Sequence, residues 1–180
     1  MNNQPRIFIG GRLHKTRKDL MNTYELIDGI CHSSDFATYL PHRDSRNYIK
    51  EKYQTPQERA MHLLEVDIRG LLSCQHGIMV LNAPSHGVGI ELEIARNNDK
   101  DLIGLAHPRT IVSPNCIGIG SAVKKIFRYT GDEDLERLLP PILKELRKDP
   151  NFLKKTYSPE EIYREWFTKA QKESYSWMHE

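Results

Sequence analysis

The feature that most constrains this chain is the uninterrupted apolar run Gly77-Ile-Met-Val-Leu81. It stops at Asn82-Ala-Pro-Ser-His-Gly87, and a helical pattern follows from Val88 to Arg96. An apolar run of that length, bounded by turn signals, reads as a strand buried on both faces. Such a strand needs a neighbour on each edge and a layer of helix above and below. The remaining sequence has to supply them.

It does so in alternation. Arg6–Ile9 is a short apolar run stopped by Gly10–Gly11, and reads as a first strand. Lys18 to Ile30 carries Leu20, Met21, Tyr24, Ile27 and Ile30 at helical spacing. Phe36–Leu40 reads as a second strand, stopped by Pro41. Thr55-Pro-Gln-Glu58 is a capping box with proline at the first helical position, and its helix should run to about Leu72. Leu102–Ala106 is a further buried strand, with Pro108 beyond it. Ser121 to Tyr129 is ambiguous: a helix, or a helical turn followed by a strand over Ile126–Tyr129. Asp132–Lys148 reads as a helix in which Pro140–Pro141 makes a kink or break. Ser158-Pro-Glu-Glu161 is a second capping box, with its helix reaching about Ser174.

Strand and helix in alternation predict an α/β fold, a doubly wound, flavodoxin-like (Rossmann-like) parallel sheet of five strands in the order 2-1-3-4-5. Residues 1–149 form this domain and 150–180 a C-terminal helical extension. Ligands of such sheets sit beyond the carboxyl ends of the strands where the order reverses. Here that point lies between strands 1 and 3, so Gly10, Gly11 and Arg12 should face the stretch from Asn82 to Glu91.

Composition narrows the function. Of 180 residues 28% are charged, yet the net charge is only +2. No basic stripe for duplex nucleic acid stands out. Three cysteines, Cys31, Cys74 and Cys116, lie far apart, which argues against zinc and against a disulfide framework. A reducing, cytoplasmic compartment is expected, with no signal peptide or membrane helix. Eight histidines are scattered without metal-ligand spacing, so no metal and no cofactor are expected.

Ser85-His-Gly-Val-Gly-Ile-Glu91 carries the most chemistry. Gly87 and Gly89 allow close backbone approach, and the helix start favours an anion such as phosphate. Glu91 is expected within about the first turn, where the helix dipole would keep its carboxylate ionised and fit to be a nucleophile. Spacing alone favours the plainer reading, a strand-to-helix turn with Glu91 as a favourable charge. A third Rossmann glycine is missing, since Leu92 stands there. Asp67, in Glu65-Val-Asp-Ile-Arg69, is suited to orient or protonate a substrate, or else to pair with an arginine on the surface. In the loop His42-Arg43-Asp44, Arg43 is suited to bind a phosphate or a base carbonyl in bidentate fashion, or is simply one of several loop charges.

Taken together, these stretches resemble the nucleoside 2-deoxyribosyltransferase superfamily. The likeness is greatest to its hydrolytic branch, which cleaves nucleoside 5'-monophosphates. It rests on Ile7-Phe-Ile-Gly-Gly11, on Asp67-Ile-Arg-Gly-Leu71 with Gly77–Leu81, and on Ser85-His-Gly-Val-Gly-Ile-Glu-Leu-Glu-Ile-Ala95, over about residues 6–147. The resemblance implies Glu91 as catalytic glutamate and Asp67 as the residue that assists the leaving base or positions the sugar. It implies that Ser85 contacts a 5'-phosphate with the glycine N–H groups, and that His42 and Arg43 form the pair whose arginine recognises a pyrimidine. Gly120-Ser121-Ala122 resembles a segment whose serine reaches the neighbouring subunit's phosphate, which implies a homodimer. The family often has a tyrosine on the first strand near the glutamate; Ile7 stands there, with Phe8 beside it.

The expected activity is hydrolysis of the N-glycosidic bond of a (deoxy)ribonucleoside 5'-monophosphate. Base exchange between deoxynucleosides, cleavage of NAD or a nucleotide signal, and nucleotide sensing without turnover are the alternatives. The aromatic residues Tyr157, Tyr163, Trp166, Phe167, Tyr175 and Trp177 suit a partner surface or a helix packed on the domain or across a dimer.

Overall fold

A computed structural model describes residues 4–12, 18–113, 116 and 121–157. The order of elements is β1 (Arg6–Gly11), α1 (Lys18–Ser33), β2 (Ala37–Tyr39), α2 (Asp44–Lys52), α3 (Pro56–Leu72), β3 (His76–Val80), α4 (His86–Asn97), β4 (Asp101–Ala106), β5 (Val123–Arg128), α5 (Asp132–Lys148) and α6 (Phe152–Thr156). The five strands form one sheet in the order β2-β1-β3-β4-β5, all neighbours parallel, as the sequence predicts.

The register sets the two faces. β1 pairs with β3 from Ile7↔His76 to Gly11↔Val80, so both strands end together at the switch point. Ile7, Ile9, Ile78, Val80, Ile103 and Leu105 point to one face, where they meet Tyr24 and Ile27 of α1 and Leu135, Leu139 and Leu143 of α5. Phe8, Met79 and Leu102 point to the other, where they meet Leu71 of α3 and Val88, Leu92 and Ala95 of α4. Alternate residues of each strand thus serve two separate cores.

Local chemistry explains most boundaries. The Thr55–Glu58 capping box forms: the Thr55 hydroxyl accepts from the Glu58 N–H, and the Glu58 carboxylate accepts from the Thr55 N–H. Asp35 and Asp99 take φ of 61° and 53° where α1 and α4 turn back toward β2 and β4. Aspartate tolerates that left-handed conformation better than most residues.

Three expectations need correction. His42 and Arg43 lie in the turn after β2, but Asp44 is no longer loop, because it opens α2. That helix buries only Ser45 and Ile49, so it carries no apolar period to read. Of the two readings of Ser121–Tyr129 the strand holds, but as β5 over Val123–Arg128, longer than the expected Ile126–Tyr129 and with no helical turn at Ser121 or Ala122. It is an edge strand bearing Lys124 and Lys125, with a register shift against Leu102/Ile103 that disturbs its alternation. Pro140–Pro141 does not break α5, which runs as one element; Leu135, Leu139, Ile142, Leu143 and Leu146 bury its inner face and offset the backbone hydrogen bonds that the prolines cannot donate. The second capping box and its helix fall outside the described residues, as do the aromatic residues beyond Tyr157. Within the extension, α6 is described, with Leu153 buried against the core.

Candidate functional site

Ser85 is the N-cap of α4, its hydroxyl accepting the Val88 N–H at 3.5 Å. Gly87 and Gly89 follow in the opening of the helix. Among the described residues a methyl at Gly89 would meet nothing within 4 Å, and one at Gly87 only the Ser85 hydroxyl at 3.7 Å. Packing among the described residues therefore gives no reason for glycine at either place. Each glycine weakens a helix by about 0.5–1 kcal/mol relative to alanine. The open space sits where free helix N–H groups favour an anion.

Glu91 lies six residues past the cap, in the second turn of α4, and the first turn holds no acid. The expectation of a dipole-ionised carboxylate fails for this reason. Glu91 is 7% exposed and its Oε2 has no hydrogen-bond partner. Burial first, and the nearby charge of Asp67 second, push its pKa from 4.5 up to about 8. A helix dipole contributes only about 0.3–1 kcal/mol, and mostly within the first turn. That is under one pH unit, so desolvation prevails.

Asp67 reaches the same place from α3. It is half-buried, its Oδ1 is without a hydrogen-bond partner, and burial raises its pKa against the opposing pull of Ser45 and Arg46. Two neighbouring acids, both held up by burial, titrate as a pair. Two residues that carried no sequence signal support Asp67. The Tyr39 hydroxyl lies 2.8 Å from the Ser45 hydroxyl and donates to the Val66 carbonyl at 3.3 Å. Its ring stacks on Phe8, with centroids 6.0 Å apart, and lies over Gly70, where a methyl would collide with it.

The turn at the end of β1 comes next. Phe8 is fully buried on the face that carries α4. Ile7 is fully buried on the opposite face, under α1 and α5, so of the two it is Phe8 that shares Glu91's side of the sheet. Gly10 and Gly11 close the strand beside Val80. The Tyr24 hydroxyl occupies the space over Gly11 and donates to the Arg12 carbonyl at 3.1 Å. Its pKa is pushed up by burial, then by the charges of Tyr129 and Glu91.

The other candidates are committed within the chain. Asn82 donates to the Tyr129 hydroxyl at 2.6 Å and accepts from the His107 N–H at 2.6 Å, which ties the ends of β3 and β4 to the residue after β5. Ser121 is 9% exposed; its hydroxyl donates to the Cys116 carbonyl at 2.7 Å and accepts from the Val123 N–H at 3.1 Å. Gly120 lies outside the described residues. The His42 ring packs against Tyr24, with its Nε2 2.7 Å from Glu25. Arg43 pairs with Asp28 and Asp44.

The fold thus brings Glu91, Asp67 and the opening of α4 to the helix side of β1 and β3. Among the described residues no cluster of three or more histidine, cysteine, aspartate or glutamate side chains is arranged to hold a metal ion. Nor is any described helix long and apolar enough to cross a membrane.

No protein-family profile and no curated protein matches the chain. Solved structures do share its fold. A 2-deoxyribosyltransferase from Bacillus psychrosaccharolyticus superposes with a TM-score of 0.57 at 9% identity, covering 77% of this chain and 95% of its own. A CMP N-glycosidase from Clostridium botulinum gives 0.54 at 14% identity, covering 76% and 98%. A conserved protein from Enterococcus faecalis V583 gives 0.51 at 15%, covering 77% and 99%. The fold predicted from the sequence is therefore one shared with a 2-deoxyribosyltransferase and with a CMP N-glycosidase.

Proposed function

We propose that this chain hydrolyses the N-glycosidic bond of a (deoxy)ribonucleoside 5'-monophosphate, releasing free base and sugar 5-phosphate. One observation carries the reading: a buried carboxylate, Glu91, and a half-buried one, Asp67, each with an oxygen that lacks a hydrogen-bond partner, lie at the switch point beside a helix opening whose glycines leave room for a ligand. Buried polar atoms without partners are uncommon and gather at functional sites.

The chemistry follows from the pair: Glu91 serves as the carboxylate that faces C1', Asp67 as the acid that protonates the departing base, and water takes the sugar. Glycosidic cleavage needs such a pair, one carboxylate for the anomeric carbon and one proton for the leaving group. The 5'-phosphate would sit on the α4 N–H groups with Ser85, which anchors the sugar while C1' faces Glu91. Base exchange is the second reading, favoured by the deoxyribosyltransferase that shares the fold.

A panel of nucleoside 5'-monophosphates and nucleosides, with free base followed by chromatography, tests the proposal. Base release from a monophosphate in water supports hydrolysis. A new nucleoside formed when a second base is added points to exchange, and no base release from any member contradicts both.

A further inference from the structure

The guanidinium of Arg43, the side chain expected to recognise a base, is already gripped by the protein. Its Nε donates to Asp44 Oδ1 at 2.9 Å and one terminal nitrogen to Asp28 Oδ2 at 3.1 Å. The other terminal nitrogen donates to Asp44 Oδ2 at 3.3 Å and to Thr38 Oγ1 at 3.4 Å. All three nitrogens are engaged, and the fork that would hold a phosphate or carbonyl pair holds Asp44. The partners are fixed in turn. Asp28 is 9% exposed and also accepts from the Thr38 hydroxyl; Asp44 Oδ2 also accepts from the Leu40 N–H at 2.8 Å. Asp28 belongs to α1, Thr38 to β2, and Asp44 opens α2, so one side chain fastens three elements.

His42 is what this fastening places. Its side chain is 8% exposed, and its Nε2 lies 2.7 Å from Glu25 Oε1. Its ring lies 5.8 Å from that of Tyr24. Tyr24 is 1% exposed, covers Gly11 and bonds the Arg12 carbonyl. α4, which carries Glu91, packs on β1. A continuous set of contacts therefore runs from Arg43 through His42 and Tyr24 to the turn at the end of β1.

We propose that Arg43 is a positioning residue: it clamps β2 and α2 to α1, so that His42 and Tyr24 hold the Gly10–Arg12 turn in place beside Glu91, and it does not itself grip the substrate. The proposal rests on the reading of Glu91 as the catalytic carboxylate. It differs from a base-reading role in what the variants do.

Arg43→Gln, Asp28→Ala, their double variant and Tyr24→Phe are compared in thermal unfolding, in calorimetric binding of a pyrimidine and a purine nucleoside 5'-monophosphate, and in base release. Arg43→Gln and Tyr24→Phe are expected to lower kcat at least tenfold with KM and Kd held within about twofold, and to leave the preference between the two bases unchanged. The double variant should be no worse than Arg43→Gln alone, in Tm and in kcat, because both changes open the same clamp. A tenfold rise in Kd or KM for Arg43→Gln, or a tenfold change in base preference, with Tm unchanged, would overturn the proposal. Should the wild-type protein release no base, the parent reading fails, but the unfolding cycle still decides the clamp. Additive losses of Tm from Asp28→Ala and Arg43→Gln would show that it does not exist.

Discussion

The two faces of this sheet are built from alternate residues of the same strands and finish in opposite conditions. The α1/α5 face has an apolar core, and at the switch-point end its polar groups have partners: Asp28 with Thr38 and Arg43, His42 with Glu25, Tyr24 with the Arg12 carbonyl. At the opposite ends of β3 and β4 the same face buries His76 Nδ1 and Asp101 Oδ1 without a hydrogen-bond partner, the latter 3.6 Å from Lys124. The α3/α4 face is unfinished. Glu91 and Asp67 each keep a buried oxygen without a partner, Gly87 and Gly89 face open space, and Met61, Leu64 and Ile90 are exposed at 77%, 45% and 43%. At the switch-point end one face is organised for stability, while the other holds groups in an unfavourable state that folding alone would not select.

The comparison is first tested by a change on the finished face. Leu139→Ala in α5 removes a fully buried side chain and should cost about 2–5 kcal/mol in chemical unfolding. A loss below about 1 kcal/mol would mean that this core is not closed.

The unfinished face should reveal itself through pH. The Glu91 carboxyl has a higher pKa in the folded chain, about 8, than its ordinary 4.5. Between those values the unfolded chain gives up this proton while the folded chain keeps it. Its ionisation therefore removes stability as pH rises from about 4.5 to 8, at up to about 1.4 kcal/mol per pH unit, and the effect levels off above. Glu91→Gln should flatten that part of the stability–pH curve. An unchanged slope would place the strained charge elsewhere.

The smallest effect is the most discriminating. Gly89→Ala meets nothing among the described residues, so it should stabilise by about 0.5–1 kcal/mol. The same methyl intrudes where the proposed function puts a phosphate, so on that proposal nucleotide affinity should fall at least fivefold in calorimetry. Stabilisation with unchanged affinity would remove the helix opening from the site.

These tests fall on residues that differed in how plainly the sequence marked them. α3 was legible because its start is a local device: Thr55, Pro56 and Glu58 form the cap whatever the rest of the chain does. β3 was legible because burial on both faces leaves only apolar residues. β5 and α2 were not, since an edge strand with two lysines and a helix burying only Ser45 and Ile49 lack the periodicity that a packed face imposes. The site divides the same way. Glu91 was marked by the glycine-rich start of its helix, Asp67 by the likeness of its stretch to the deoxyribosyltransferase pattern, and the switch point followed from the strand order. The environment of Glu91 did not, because its raised pKa comes from burial by residues distant in sequence. Ser45, Tyr24 and Tyr39 were silent for the same reason: each approaches the site through the fold and carries no motif.

The central claim is that the unpartnered carboxylate of Glu91 is kept for chemistry. It is tested most directly by comparing Glu91→Gln with the wild-type protein for release of free base from a nucleoside 5'-monophosphate, with unfolding followed in parallel. The account predicts that base release falls by at least about a thousandfold, the scale expected for loss of a catalytic carboxylate. At pH 8 the variant should be as stable as the wild type or more so. Base release that survives the substitution in a folded variant would contradict it.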